Sequence, residues 1–223
     1  NHKIPLEARA RGLEHQSLTW TRAVPALGGE VNPDQAWLKV TRDPGRGVYG
    51  VLAPGAEYGP AKRWAPERFA ELAKSLAEDI PRWVIVGARG DHLACAEVSV
   101  RLPEAENRCG TTSLADLIAL LAGATVVVSN DSGTAHLAAA CGAPTVAVFG
   151  STEPRLTRPV HPGVAVVRRH VPCSPCFRRV CPLGHTRCLD AVTVDDGLRG
   201  VRSALSDGGV EPLSGLAWDR ERT

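Results

Sequence analysis

The fold is decided by the stretch Val126-Val127-Val128-Ser129-Asn130-Asp131-Ser132-Gly133-Thr134-Ala135-His136. Its apolar half predicts a buried β-strand, and the polar residues that follow predict a turn into an Ala-rich helix. The first backbone N–H groups of such a helix lack partners within the helix, and the helix dipole adds partial positive charge there. The stretch therefore predicts an anion site, typically for phosphate, beyond the carboxyl end of a strand.

The pattern of strand followed by helix extends over most of the chain. Apolar runs predict further strands at residues 48–53, 83–86, 145–149 and 164–167, beside the one at 125–129. Helix starts are indicated near Pro66, Asp91, Ser113 and Thr193. Continuous apolar strands separated by helices are typical of a parallel sheet covered by helices on both faces. We therefore predict a Rossmann-like α/β domain over residues 47–206, with loops 54–62, 87–91 and 129–136 meeting at the carboxyl ends of its strands.

The flanking segments have a different composition. Residues 1–46 are rich in Arg, Pro and Gly, with one helical piece predicted at 15–27 and a linker at 28–47. Residues 207–223 are polar and Gly-bearing, so we expect a loosely ordered tail.

The overall composition excludes several classes of protein. The net charge is +2 and 43% of the residues are hydrophobic, which is ordinary for a globular protein. We expect no nucleic-acid partner, because that usually requires a concentrated basic face. No apolar run is long enough to predict a transmembrane helix, and the first residues do not resemble a signal peptide. A cytoplasmic location is the expectation.

The turn at 131–136 carries the first candidate site. Gly133 leaves room for a ligand to approach the backbone, while Ser132 and Thr134 offer N–H groups and hydroxyls. His136 adds a donor one helical turn further on. The alternative is a purely structural helix cap by Asp131 or Ser132.

Two residues of neighbouring loops join this candidate site. Lys62 is one of only four lysines in the chain, and its ammonium can reach a phosphate held at the adjacent strand end. The alternative is a solvated basic turn above Trp64. Asp91 is predicted either to accept a hydrogen bond from a sugar hydroxyl or to cap a helix, and both alternatives stay open.

The two familiar phosphate-binding signatures are absent from the sequence. There is neither a Gly-x-x-x-x-Gly-Lys-[Ser/Thr] loop nor a Gly-x-Gly-x-x-Gly after a strand. These absences argue against an ATPase, a kinase or a dehydrogenase.

The seven cysteines fall into two groups. Cys95, Cys109 and Cys141 stand singly in apolar surroundings, which predicts small core residues. The other four are clustered within residues 173–188: Cys173, Cys176, Cys181 and Cys188. Four sulfur atoms can bind zinc tetrahedrally, but the usual pair of Cys-x-x-Cys halves is missing. A zinc site and a packed loop without metal are both compatible with this spacing.

Three segments together resemble glycosyltransferase family 9, the bacterial ADP-heptose:lipopolysaccharide heptosyltransferases. They are Pro54-Gly55-Ala56-Glu57-Tyr58-Gly59-Pro60-Ala61-Lys62-Arg63-Trp64, Ser129-Asn130-Asp131-Ser132-Gly133-Thr134-Ala135-His136 and Ala143-Pro144-Thr145-Val146-Ala147-Val148-Phe149-Gly150-Ser151-Thr152-Glu153-Pro154. The similarity covers roughly residues 48–205. It implies the C-terminal, donor-binding half of a GT-B glycosyltransferase, in which two Rossmann-like domains face each other across a cleft.

The resemblance also assigns roles to single residues. Lys62 and the turn Ser132-Gly133-Thr134 would hold the diphosphate of the donor, with His136 nearby. Asp131 would face the heptose hydroxyls, and the adenine would lie near residues 110–114.

The implied reaction is an inverting transfer of heptose from ADP-heptose to the lipid A–core oligosaccharide at the membrane surface, which suggests peripheral contact with the inner face of the inner membrane. Its catalytic base belongs to an N-terminal acceptor domain, of which residues 1–46 resemble only the trailing edge. We therefore expect no catalytic base in this chain, an inactive fragment, and no metal or cofactor in the reaction. Two alternatives stay open: a GT-B nucleotide-sugar epimerase that prefers a uridine nucleotide, and a non-catalytic, zinc-stabilised binding module.

Overall fold

The computed structural model describes residues 15–17, 24–25, 28–30, 38, 40 and 47–206. Most of the predicted helix at 15–27, most of the predicted linker at 28–47 and the whole tail at 207–223 lie outside the described residues. The predicted domain limits on these flanks therefore stay predictions.

Six strands and seven α-helices lie within residues 47–206. The strands are β1 Gly50–Ala53, β2 Trp83–Ile85, β3 Glu106–Asn107, β4 Val126–Asn130, β5 Thr145–Val148 and β6 Val164–Val167. The helices are α1 Pro66–Ser75, α2 His92–Arg101, α3 Leu114–Gly123, α4 Gly133–Ala140, α5 Pro154–Thr157, α6 Arg187–Asp190 and α7 Val194–Leu205. Two short 3-10 helices, Pro60–Lys62 and Arg89–Asp91, follow β1 and β2.

The strands form one parallel sheet in the order β3-β2-β1-β4-β5-β6. This order is that of the Rossmann fold and confirms the predicted α/β class. From β1 the chain moves to one side of the sheet, and from β4 it moves to the other. The crevice between the ends of β1 and β4 is therefore the topological switch point, where such sheets bind ligands.

Helices cover both faces of the sheet, as predicted. On one face, α1, α2 and α7 pack on alternate strand residues, as Phe69, Val98 and Val201 do in a cluster with Leu52 and Val128. On the other face, α3 and α4 pack through Leu121 and Ala138 against a separate cluster that includes Val51 and Val127. Because β1 and β4 are buried on both faces, their sequences are continuous apolar runs.

The helix starts agree with the sequence signals. Ser113 accepts a hydrogen bond from the Asp116 N–H, and the Asp116 carboxylate accepts one from the Ser113 N–H. Thr193 and Asp196 form the same reciprocal arrangement at the start of α7. Both predicted caps are confirmed.

Three details differ from the sequence prediction. The edge strand β3 was missed, because Glu106 and Asn107 are exposed and carry no apolar signal. The central strand β4 runs on to Asn130, since the next N–H, that of Asp131, still donates to the Val148 carbonyl of β5 at 2.9 Å. Cys95 and Cys141 are buried, but Cys109 is only half-buried, so the prediction of a core residue is only partly right there.

Candidate functional site

The switch point brings together the two loops that the sequence singled out. Ala53 at the end of β1 pairs in register with Ser129 of β4, so the residues that follow each strand emerge side by side. The loop after β1, residues 54–64, therefore lies against the turn that leads into α4. These two segments are called the switch-point loops below.

Asn130 ties the switch-point loops together. Its side-chain oxygen accepts a hydrogen bond from the Trp64 N–H at 2.9 Å, and its amide donates to the Pro54 carbonyl at 2.7 Å. The residue is fully buried, so these bonds replace contacts with water. No role was predicted for Asn130, although an asparagine at the end of a mainly apolar strand is a signal for such a tie.

Lys62 and Asp131, predicted as neighbours in one site, form a nearly buried ion pair. The Lys62 Nζ lies 2.5 Å from the Asp131 Oδ2, and the two side chains are 12% and 4% exposed. The Thr152 hydroxyl donates to the same carboxylate oxygen at 2.6 Å, and the Lys62 ammonium also lies 4.7 Å from the centre of the Tyr58 ring. Thr152 belongs to one of the segments that resemble family 9, but the residue pattern did not predict it as part of the site.

The N-terminus of α4 is open, as the sequence suggested. Ser132 occupies the N-cap position without a side-chain capping bond, and the first turn contains no acidic residue. Instead, the Ser132 hydroxyl lies 3.1 Å from that of Ser129. A Cβ atom added to Gly133 would meet no other atom within 4 Å. The first N–H groups of α4 therefore lie where an anion can approach them.

An open groove of about 500 Å³ runs along the N-terminus of α4, and its volume is typical of small-ligand sites. Its walls include Ser132, Gly133 and Thr134 on one side and the start of α3, at residues 112–114, on the other. The region predicted to lie near adenine thus borders the same groove as the turn predicted to hold the diphosphate. Lys62, Asp131 and His136 lie outside its lining.

Asp91 precedes α2 but does not cap it, because its side chain makes no hydrogen bond to the first turn of that helix. Its Oδ2 accepts a hydrogen bond from the Ala88 N–H at 3.0 Å, at the start of the preceding 3-10 helix. Its Oδ1 is buried, faces Arg63 at 3.8 Å and has no hydrogen-bond partner. Asp91 also lines the groove, so this oxygen offers an acceptor beside it.

His136 lies next to the ion pair rather than in the groove. Part of the residue is exposed on the surface of α4, and the rest lies against neighbouring protein atoms. Surrounding protein atoms, which displace water, lower the pKa of His136 below its usual value; the Asp131 charge opposes this effect, and His15 and Lys62 reinforce it. The ring is therefore neutral near pH 7 and offers one donor and one acceptor.

In the described part of the chain, no three His, Cys, Asp or Glu side chains are already arranged as a metal site. The four clustered cysteines are free thiols that range from exposed Cys173 to buried Cys188.

No helix within the described residues has the length and apolar character needed to cross a membrane.

A parallel sheet of this strand order, with an open helix N-terminus at its switch point, defines a Rossmann-type α/β domain. The particular family follows from comparison with known proteins. The family model of glycosyltransferase family 9 (heptosyltransferase) matches residues 26–187, and the chain belongs to this family. The resemblance deduced from the three sequence segments is confirmed.

Named relatives agree with this assignment. The chain is 35% identical over 164 residues to lipopolysaccharide heptosyltransferase 2 of Salmonella typhimurium. This aligned region covers 71% of this chain and 47% of that protein. It is 39% identical over 122 residues to lipopolysaccharide heptosyltransferase 2 of Escherichia coli, covering 52% of this chain and 35% of that protein. The chain thus spans about half the length, or less, of these curated relatives.

Solved structures show the same fold. The E. coli ADP-heptose lipopolysaccharide heptosyltransferase II superposes with a TM-score of 0.60 at 31% identity, over 71% of this chain and 46% of that one. A family 9 glycosyltransferase from Veillonella parvula gives a TM-score of 0.69 over 89% of this chain and 62% of that one; at 18% identity, this second likeness concerns the fold alone. The predicted fold, the Rossmann-like half of a GT-B glycosyltransferase, is confirmed.

Proposed function

We propose that this chain is the donor-binding half of an inverting heptosyltransferase that transfers heptose from ADP-heptose to the inner core of lipopolysaccharide. The observation that carries the proposal is the uncapped N-terminus of α4, which borders an open groove at the switch point of a family 9 domain. The named relatives are transferases, so they favour this activity over the epimerase and the non-catalytic module.

The diphosphate of the donor would bind at the turn from Ser132 to Thr134. Backbone N–H groups at a helix N-terminus need no rearrangement to bind an anion. Gly133 has no side chain to block this approach, and its surroundings are open. The adenine would lie toward residues 112–114. The Asp91 Oδ1, which faces Arg63 and has no hydrogen-bond partner, would accept a hydrogen bond from a ribose hydroxyl.

Lys62, paired with Asp131, would bind the same diphosphate from the neighbouring loop. A carboxylate beside an anion site repels the ligand unless its charge is balanced, and Lys62 balances it at 2.5 Å. An ammonium has three donors, so Lys62 can keep Asp131 and still donate to a phosphate oxygen. Asp131 would contact the heptose hydroxyls, and His136 would add a donor nearby.

Departure of ADP would be assisted by these same groups. Negative charge grows on the diphosphate as the bond to the anomeric carbon breaks, and fixed N–H dipoles with Lys62 stabilise it. We assign no residue of this chain the role of general base; an acceptor-binding domain would supply it, so the chain alone would bind donor without transferring heptose. The acceptor would be the lipid A–core oligosaccharide. The enzyme would bind it as a peripheral protein at the inner face of the inner membrane.

Calorimetric titration of the intact chain with ADP, ADP-heptose and UDP tests the proposal. We expect ADP and ADP-heptose to bind and UDP to bind more weakly. Lys62→Ala should weaken ADP binding by more than about 1.5 kcal/mol, roughly tenfold, because a charge-assisted contact is lost. Lys74→Ala, which removes an exposed lysine at the end of α1, is the matched control. A folded chain that does not bind ADP contradicts the proposal. A chain that binds UDP more tightly than ADP supports the epimerase instead.

A further inference from the structure

Residues 168–188, called the cysteine connection below, link β6 to α6 and contain the four clustered cysteines. Residues 168–186 of this segment form no helix or strand. Connections longer than about 12–15 residues without regular structure are uncommon in compact domains and usually have a function. The proposed donor site uses none of these cysteines.

The four cysteines surround one small cavity. Its lining includes Cys173, Cys176, Cys181 and Cys188 together with His185. All four are free thiols, so no disulfide holds the connection in place. Chain segments separated by up to fifteen positions thus bring four sulfur atoms to a single point.

Packing alone does not explain this arrangement. Cys188 is buried and fits a core position, but Cys173 is exposed, and Cys176 and Cys181 are only half-buried. Val171 packs against the core of the domain, but three other large apolar side chains of the connection are exposed: Phe177 by 46%, Val180 by 65% and Leu183 by 60%. Hydrophobic burial therefore holds the connection near its two ends, at Val171 and Cys188, and not along the part between them.

Backbone N–H groups surround one of these thiols. The N–H groups of the turn that follows Cys181, that of Thr186 foremost, are directed at the Cys181 sulfur. Gly184 allows this turn because its φ is +69°. N–H groups directed at sulfur are typical supports of metal-bound thiolates.

The four thiols can ionise together only if a cation lies between them. Several thiolates around one cavity repel each other unless a positive ion lies between them.

We propose that Cys173, Cys176, Cys181 and Cys188 bind a single Zn²⁺ or Fe²⁺ ion as a tetrahedral tetrathiolate site. Four thiolate ligands suit either ion, and a closed shell of four protein ligands makes the site structural. The side chains surround the cavity without forming a finished coordination shell, so the ion draws them together from their present positions.

The site would also support the loop that carries Lys62. The Ala61 N–H donates to the Arg179 carbonyl at 3.1 Å, and the Tyr58 hydroxyl donates to the Phe177 carbonyl at 2.7 Å. Both acceptors lie between Cys176 and Cys181. This second part of the inference rests on the proposed function: the ion fixes the connection, the connection fixes the loop, and the loop positions Lys62 for the diphosphate.

Metal analysis of the full chain tests the site. The protein is expressed in zinc-supplemented and in iron-supplemented medium, purified without chelator and measured by mass spectrometry of the metal content. We expect about one equivalent of zinc or iron per chain, as a four-ligand site requires, and the two media identify the ion. Wild-type protein without metal in both media, or with disulfides among these cysteines in a thiol titration, overturns the proposal.

Three variants separate metal binding from packing. Cys173→Ala removes an exposed side chain, so it should cost metal content only if Cys173 is a ligand. Cys188→Ala and Cys141→Ala both remove buried thiols, and only the former should lose metal. If Cys173→Ala retains the metal content of the wild type and folds as well, the four-cysteine site is wrong. Substitution with Co²⁺ should give the absorption bands of a tetrahedral thiolate site in the wild type and not in Cys173→Ala.

ADP titration before and after metal removal tests the link to Lys62. We expect chelation to weaken ADP binding by about tenfold, comparable with the loss of other supporting contacts around a site, and added metal to restore it. Unchanged affinity in a chain that has lost its metal contradicts the positioning role. If neither form binds ADP, the proposed function fails, whereas the metal content still decides on the site.

Discussion

Two regions support the loop that carries Lys62, and they do so by different means. Beneath the loop, Asn130 at the end of β4 holds Trp64 and Pro54 through buried hydrogen bonds. From the side, the cysteine connection holds Ala61 through the Arg179 carbonyl, from a segment without strand or helix. Asn130 is rigid because it belongs to a strand of the sheet. The cysteine connection has no such strand and must be made rigid by contacts of its own. A loop at a strand end is positioned by a few polar side chains, whereas a long connection needs a cross-link of its own.

The largest effect should come from breaking the support within the sheet. Asn130→Ala leaves the Trp64 N–H and the Pro54 carbonyl buried without their partners, and each such group costs about 1–3 kcal/mol. We expect the free energy of unfolding to fall by about 3 kcal/mol, measured by urea denaturation. Asn107→Ala is the matched control, because Asn107 is exposed and accepts only a local bond from the Cys109 N–H. Equal losses for both variants would show that Asn130 is not the tie.

A smaller change in free energy, now of ADP binding, should come from altering the charges of Lys62 and Asp131 at the same loop. In Lys62→Ala, the Asp131 carboxylate stays nearly buried beside the anion site without its counterion. Asp131→Asn removes that charge and keeps an oxygen that can accept from Thr152. The double variant should therefore bind ADP more tightly than Lys62→Ala by about 1 kcal/mol, a typical coupling between neighbouring groups. Calorimetry on both variants measures the difference, and equal affinities would mean that the ligand does not sense Asp131.

Much of the fold, but less of the site, could be predicted from the sequence. Strands such as β4 and β6 were visible because each contains a run of buried apolar residues, and the caps at Ser113 and Thr193 are local patterns. The strand β3 gave no signal, since its two residues are exposed. In the site, the open turn at Gly133 is a local feature, whereas the contacts of Asp131 with Lys62 and Thr152 join segments far apart in the chain. Such contacts depend on the strand order, which residue patterns do not specify.

Gly133→Ala separates ligand binding from folding at the switch point. Alanine is the better helix former, and the added methyl group meets no atom within 4 Å, so stability should rise by up to about 1 kcal/mol. The same methyl group occupies the approach to the helix N-terminus, and ADP affinity should fall by about tenfold, or about 1.4 kcal/mol. Gly163→Ala is the control, because Gly163 lies at the amino end of the edge strand β6, whereas the switch point lies at the carboxyl ends of the central strands. Undiminished ADP binding by a stable Gly133→Ala would place the diphosphate elsewhere.

The smallest effect concerns the start of the cysteine connection, which is anchored by charge. The Arg169 guanidinium donates two hydrogen bonds to the Asp196 carboxylate at 2.6 and 2.9 Å, and Arg199 contacts the same group. Burial acts to raise the pKa of Asp196, but Arg169 and the cap at Thr193 outweigh it and hold that pKa well below its usual range.

The sign of the resulting pH dependence follows from this lowered pKa. Because the folded-state pKa lies below the unfolded value of about 4, the stabilisation is complete above that pH and is lost as the pH falls toward the folded pKa. Asp196→Asn should thus cost about 1 kcal/mol at neutral pH, since both arginines are half-exposed and screened by solvent. The difference from wild type should shrink in acid. Urea denaturation from neutral to acid pH measures it. Acid also releases metal from thiolates, but it does so in both proteins, so the difference between them isolates Asp196. A gap that stays constant with pH would mean that Asp196 acts through its cap and not through its charge.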